Sequence, residues 1–212
     1  MAGYTTREEH PLPAVVLHAV HLVSMFVLIF TGFYIHYPFF AGAMAAMRTT
    51  HFVAMFVLIA TTVLRVYWAF AGRGSADPGS RRRVPDWKHF APETANRGQM
   101  IETLKYYLFL RKSHPRTAKF NTLQKATYIL WLILIAIQAI TGFAMWQPTA
   151  SAFAPLTYAF GGVMQVRVEH YLVMWLFIVT TMIHIYLSVA EAWVQLPLMF
   201  AWRETRPRDE AM

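Results

Sequence analysis

No cysteine occurs in the chain. Disulfides, iron–sulfur clusters and thiolate-ligated haem are therefore excluded as anything this chain supplies itself. Charge is scarce as well: Asp, Glu, Lys and Arg make up 14% of the 212 residues. A soluble domain carries about 25%, so this composition does not build a water-facing surface. Acidic residues are rarer still, 11 in all, and Glu169 and Glu191 stand at the ends of an apolar stretch rather than within it. A haem-free transporter or proton relay needs acidic groups inside its spans, which weighs against that reading. Low-complexity tracts are also missing.

What the chain has is apolar sequence, 57% of it with 16% aromatic, gathered into long windows. Four windows, 14–37, 49–71, 124–147 and 167–194, are nearly free of charge; Arg65 alone interrupts the second. Each reaches the roughly 20 residues a helix needs to cross a bilayer. Helices satisfy every backbone group within one segment, which lipid demands. The expectation is an all-α integral membrane four-helix bundle, one domain over residues 1–212, with residues 72–123 as its long loop. Ala41-Gly42-Ala43 looks like a signal-peptidase site. The apolar stretch before it exceeds the about 7–15 residues of a signal core, and few positive charges precede it. The first window is read as a retained helix.

Basic residues orient the bundle. Twelve of the 19 Lys and Arg lie between Arg73 and Lys125, including Arg81-Arg82-Arg83. The link between the first two windows has only Arg48, and at the link between the last two only Arg167 stands, where the fourth window begins. Positive-inside bias puts both termini and the long loop in the cytoplasm of a multi-pass inner-membrane protein. The net charge of +8 then serves anionic membrane lipid and implies no nucleic acid. Within the loop, residues 73–85 are rich in Gly, Ser, Pro and Arg and are expected to be irregular. Residues 99–112 (QMIETLKYYLFLRK) are too short to span. They suit an interfacial helix, a docking surface for a soluble partner, or both. One short echo links the first and third windows: Thr31-Gly32-Phe33 and Thr141-Gly142-Phe143.

The chemistry lies in the nine histidines. His10, His89 and His114 fall in loops. His18, His21, His36, His51, His170 and His184 fall in the windows or at their ends. Ionisable groups inside a bilayer are costly and usually functional. His170 and His184 stand 14 residues apart. That is close to four turns, so they share a face, about 21 Å apart along the axis. Helices 2 and 4 enter from the same side, which puts His51 at the level of His170. Helix 1 enters from the other, which puts His18 towards the level of His184. Two imidazoles at each level suit two six-coordinate b-type haems held in a bundle interior. Gly32 lies 14 residues after His18, and Arg65 lies 14 after His51. Gly32 either lets a porphyrin approach or allows close helix packing. Arg65 either pairs with a haem propionate or snorkels to the interface. His21 rivals His18 on a neighbouring part of the same face, and His36 reads as an interfacial residue.

These features together resemble the b-type cytochrome subunit of membrane-bound nickel–iron hydrogenases, over about residues 12–195. The matching stretches are His18 with Thr31-Gly32-Phe33; His51-Phe52 with Arg65-Val66-Tyr67-Trp68-Ala69-Phe70; Tyr106-Tyr107-Leu108-Phe109-Leu110; Thr141-Gly142-Phe143-Ala144; and His170 through Met174-Trp175-Leu176 to His184. The resemblance implies His18, His51, His170 and His184 as haem ligands and favours His18 over His21. The family often has Arg three residues before the first ligand and an aromatic residue after it; Val15 and Ala19 stand there instead. Related formate dehydrogenase membrane subunits carry an Asn-x-x-Gln-Lys motif associated with quinone binding, which Asn121-Thr122-Leu123-Gln124-Lys125 resembles. Asn121 and Gln124 are thus quinone candidates, or else helix-capping and interfacial residues.

The implied function is electron transfer to menaquinone or ubiquinone. The implied partners are an iron–sulfur small subunit and a nickel–iron large subunit, in an oligomer of the whole complex. This chain would be the quinone-reducing rather than the hydrogen-activating subunit. A cytochrome b serving formate dehydrogenase or thiosulfate reductase is the alternative.

Overall fold

The structure, a computed structural model, describes residues 5–77, 80–90, 98–113 and 122–205. Four helices in it are long and apolar enough to cross a membrane. They are α1 (Leu12–His36), α2 (Met44–Ala71), α4 (Thr122–Met145) and α7 (Val163–Glu191). At about 1.5 Å per residue, even the shortest, 24 residues long, exceeds a hydrocarbon core of about 30 Å. Shorter elements connect them: strands β1 (Arg73–Ser75) and β2 (Arg83–Pro85), and helices α3 (Gln99–Tyr107), α5 (Gln147–Ala150), α6 (Ala154–Ala159) and α8 (Leu196–Ala201). Pro38 follows the end of α1, where the residue before a proline is steered out of the helical region. Gly161 and Gly162, with φ of 88° and 106°, make the turn into α7 in a conformation that disfavours side chains.

The chain divides into two compact units. One comprises Val20–Thr62 and Leu130–Ile185. It contains a stretch of each long helix, which makes it a four-helix bundle. Leu58, Leu134, Ile135, Val173 and Phe177 form its core, with Met25, Leu28 and Trp131 packed against them. Its exterior is as apolar as its interior: Val23, Phe26, Val53, Ile133, Leu172 and Met182 are all exposed. Its buried positions, by contrast, include the hydroxyls of Ser24, Thr31, Thr61 and Thr141. That inversion suits lipid outside, where helices associate through packing and hydrogen bonds rather than by the hydrophobic effect.

The other unit comprises the described residues of Met1–Ala19, Val63–Ile129 and Tyr186–Met212. Here the two ends of the segment 73–85, expected to be irregular throughout, depart from that reading. β1 pairs antiparallel with β2, Gly74 opposite Val84. The reason is non-local. The Ser75 amide donates to the Glu8 carbonyl at 2.7 Å, and the Asp86 amide to the Gly72 carbonyl at 3.0 Å. Glu8 also draws in Arg81 and Arg83, at 3.2 and 3.6 Å. The first and last described residues meet as well: the Thr5 amide donates to the Thr205 carbonyl at 3.0 Å. α3 lies within the segment expected to hold an interfacial helix. Ile101, Leu104, Leu108, Phe109 and Leu110 are exposed along it and just beyond it.

Candidate functional site

His51 and His170 face one another in the bundle unit, with ring centroids 6.4 Å apart. Each is held by a threonine from the helix beside it. Thr31 Oγ1 lies 2.8 Å from His51 Nδ1 and 2.7 Å from the Val27 carbonyl oxygen, one turn back on α1. Two oxygens that close need a proton between them, so the hydroxyl donates to the carbonyl and accepts from the ring. Nδ1 of His51 therefore carries the ring proton. The second half is built the same way. Thr141 Oγ1 lies 2.7 Å from His170 Nδ1 and 2.7 Å from the Ile137 carbonyl oxygen. Both imidazoles thus keep Nε2 unprotonated, the form that binds a metal. Gln138 Nε2 further donates to the His170 carbonyl at 2.9 Å.

Glycines open the space around the pair. A Cβ placed on Gly32 would stand 3.7 Å from His51 Cε1 and 3.4 Å from the Met174 sulfur. One placed on Gly142 would stand 3.6 Å from His170 Cε1 and 3.7 Å from the Met55 sulfur. Gly32, expected to leave room for a flat group, does lie against an imidazole here. Aromatic rings continue outward: His36 stacks on Tyr171 at 3.9 Å, and Trp146 lies on Phe52 at 5.4 Å.

Other predicted residues fall elsewhere. His184 meets Trp131 edge-on at 5.2 Å, and Trp131 Nε1 donates to Thr180 Oγ1 at 2.9 Å. His18 meets Phe200 of α8 edge-on at 6.5 Å. His21 Nε2 lies 3.1 Å from Thr62 Oγ1. Arg65 Nη1 donates to Asp86 Oδ2 at 2.9 Å, with its guanidinium 5.6 Å from the centre of the Phe90 ring. Gln124 sits in the first turn of α4. Asn121 lies outside the described residues.

Sequence reasoning missed Thr31, Thr141, Met55 and Met174. The signal was present in the Thr-Gly-Phe echo. It was also present in a longer likeness: His51-Phe52-Val53-Ala54-Met55 against His170-Tyr171-Leu172-Val173-Met174.

Chemically, a pair of imidazoles is too few for a bare ion. Among the described residues no three His, Asp or Glu gather to hold one. A flat macrocycle that brings its own equatorial nitrogens removes that shortfall. Metal–imidazole bonds of about 2 Å, plus the distance from nitrogen to ring centre, put trans imidazoles roughly 6.3 Å apart. The His51–His170 separation of 6.4 Å matches, and Gly32 and Gly142 leave bare backbone beside the two rings. The residues present fit haem.

Four apolar helices around such a pair define a multi-pass membrane cytochrome of the b type. The chain belongs to the prokaryotic cytochrome b561 family, whose sequence profile it matches over residues 9–202. Haem b is the group that such a cytochrome carries. Three relatives show the reach of the similarity. The chain is 28% identical over 196 residues to the probable Ni/Fe-hydrogenase B-type cytochrome subunit of Rhizobium leguminosarum bv. viciae, covering 84% of this chain and 79% of that one. It is 27% identical over 198 residues to the probable Ni/Fe-hydrogenase 1 B-type cytochrome subunit of Escherichia coli strain K12, covering 84% and 80%. With the corresponding Rhodobacter capsulatus protein it shares 26% identity over 223 residues, covering 90% and 81%.

Proposed function

We propose that the chain is the membrane-anchoring di-haem cytochrome b that passes electrons from an outward-facing nickel–iron hydrogenase to the quinone pool. The observation that carries this reading is the facing pair of His51 and His170, each held at Nδ1 by a threonine. Haem bound there supplies reversible one-electron carriage. His51 and His170 would hold the haem through their Nε2 atoms, and with both committed to the metal the group would serve electron transfer rather than chemistry on oxygen or substrate. Thr31 and Thr141 fix the tautomer and the rotation of each ring.

We assign a second haem to His18 and His184. The support is the 14-residue spacing of His170 and His184, together with the family resemblance. His18 is preferred over His21 for a further reason. Thr62 Oγ1 donates to the Leu58 carbonyl at 2.7 Å, so it accepts from His21 Nε2. The bonded nitrogen is thus the reverse of that in His51 and His170. Arg65, already held by Asp86, is assigned to a carboxylate of the second haem. Asn121 and Gln124 are assigned to menaquinone or ubiquinone.

Positive-inside bias favours cytoplasmic termini and loop in the inner membrane, with His51 and His170 on the outer side. The names of the relatives support a Ni/Fe hydrogenase as the partner, and we assign its small and large subunits to that role, in an oligomeric complex. Electrons then enter at the outer pair, and this chain reduces quinone without activating hydrogen.

Reduced-minus-oxidised spectra of the purified chain, with a pyridine haemochrome assay, test the reading. Two haems per chain are expected. His51→Ala and His170→Ala each lose one, and His184→Ala loses the other. A haem content unchanged in all three variants overturns it. Nickel and iron should co-purify with the intact complex.

A further inference from the structure

The bundle unit is built of two like halves, α1 with α2 and α4 with α7, and the likeness holds in the main contacts about the two histidines. Thr31 bonds His51 at 2.8 Å, and Thr141 bonds His170 at 2.7 Å. Gly32 faces His51 and Met174 as Gly142 faces His170 and Met55. Phe33 meets Trp175 at 5.4 Å, and Phe143 meets Phe56 at 6.0 Å. Even the exposed arginines correspond: Arg48 and Arg167 each stand three residues before the histidine of their half.

Gln138, which bonds the His170 carbonyl, has Leu28 as its counterpart, and one turn beyond the glycines a pair of contacts differs in its chemistry. One turn beyond Gly32, His36 stacks on Tyr171 at 3.9 Å with only 13° between the rings. One turn beyond Gly142, the equivalent residues are Trp146 and Phe52, 5.4 Å apart and tilted by 39°. The first flank offers an imidazole and a phenol hydroxyl. The second offers one indole N–H and nothing ionisable.

Haem is not two-fold symmetric, because its two propionate carboxylates lie along one edge. A pocket with two equal flanks would accept it in either of two orientations. Arg48 and Arg167 stand at equivalent sequence positions in the two halves, so they give no reason to prefer one flank. We propose that His36 and Tyr171 form the carboxylate-binding flank of the outer haem site and select the orientation in which haem is held. Imidazole N–H and phenol O–H both donate to carboxylate oxygens, and stacking holds the two donors side by side. His36 is therefore a haem-binding residue rather than an interfacial one. This inference rests on the assignment of a haem to His51 and His170.

The test is paramagnetic NMR of the ferric full chain in detergent. The outer haem's methyl resonances are identified as those lost in His51→Ala. Wild type should show one set, with orientations biased at least about tenfold, as one charge-assisted hydrogen bond provides. The double variant His36→Leu with Tyr171→Phe removes both donors and leaves the Trp146 N–H as the donor of the opposite flank. It should keep the haem but show a second set, from the flipped orientation, in at least comparable amount. His36→Gln, which keeps an N–H donor, should retain the bias. A single unchanged set in the double variant overturns the inference, as does a His36→Gln chain that behaves like it. If no resonances vanish in His51→Ala, the haem assignment fails instead, and haem content separates the two cases.

Discussion

Replacing Thr31 or Thr141 by Val keeps the side-chain shape and removes only the hydroxyl that accepts from Nδ1. A hydrogen bond to Nδ1–H makes an imidazole a stronger donor to its metal and so favours the ferric state. Its loss should raise the midpoint potential of the outer haem. A net hydrogen bond of about 1 kcal/mol corresponds to a shift on the order of 40 mV for one electron. Redox titration of Thr31→Val and Thr141→Val should show that rise, and Thr→Ser at either position should restore the wild-type potential. Equal potentials in all four variants would leave the threonines a purely structural role. The glycines admit a separate test. At Gly32 and Gly142 an added Cβ meets no protein atom closer than 3.4 Å, so an alanine fits the protein by itself. Gly142→Ala should therefore insert and fold as wild type while losing haem. The readouts are haem per chain and detergent-resistant protein yield, measured together. Gly32 was suggested by its spacing from His18, whereas Gly142 stood only in the Thr-Gly-Phe echo. The threonines were not suggested, because a hydroxyl in a helix ordinarily just bonds the carbonyl four residues back, and only the fold brings a ring to its other side.

Elements differ in how far the sequence announces them. The long helices were legible because lipid leaves no other solution for twenty apolar residues. The β1–β2 hairpin was not, since its stability comes from residues distant in the chain. Glu8 lies near one end, and Glu204 near the other binds Arg81 at 3.4 Å. Glu204 also accepts the Arg7 backbone N–H at 3.0 Å. That bond, reinforced by the Arg81 charge, holds its carboxyl below the ordinary glutamate range. A carboxyl depressed in the folded state binds a proton more readily when released. The contact therefore stabilises this region at neutral pH, and the stabilisation is lost as pH falls through the depressed value. Hydrogen-exchange protection of the Arg7 amide should be high at neutral pH and drop below the usual glutamate titration. In Glu204→Gln, which keeps an acceptor and loses the charge, protection at neutral pH should be lower and the pH dependence should vanish. A wild-type protection factor that does not change with acidification would remove Glu204 from this role.

At the scale of the whole molecule, sidedness is the property on which the proposed function depends, because that proposal puts the His51–His170 pair on the side of the electron donor. It was read from sequence as a count of basic residues, and the fold adds a reason for the loop to stay on one side. Residues 73–86 are tied to Glu8 and to Arg65 through hydrogen bonds and ion pairs. Carrying the loop across a bilayer would mean breaking those ties and desolvating Arg81, Arg82 and Arg83 together, at roughly 2.5–3.5 kcal/mol per arginine even on the most lenient scale. The opposite links carry one arginine each, Arg48 and Arg167, and resist translocation far less. Trypsin added to spheroplasts should therefore leave the Arg81–Arg83 segment intact, whereas in inverted vesicles it should cleave there. A single cysteine introduced at Ser80, in a chain with none of its own, gives an independent reading. A membrane-impermeant maleimide should label it only in inverted vesicles. Cysteine introduced at Ala41 should label only from the outside. Labelling of Ser80→Cys in intact spheroplasts would reverse the orientation and, with it, place His51 and His170 on the cytoplasmic side, away from any outward-facing donor.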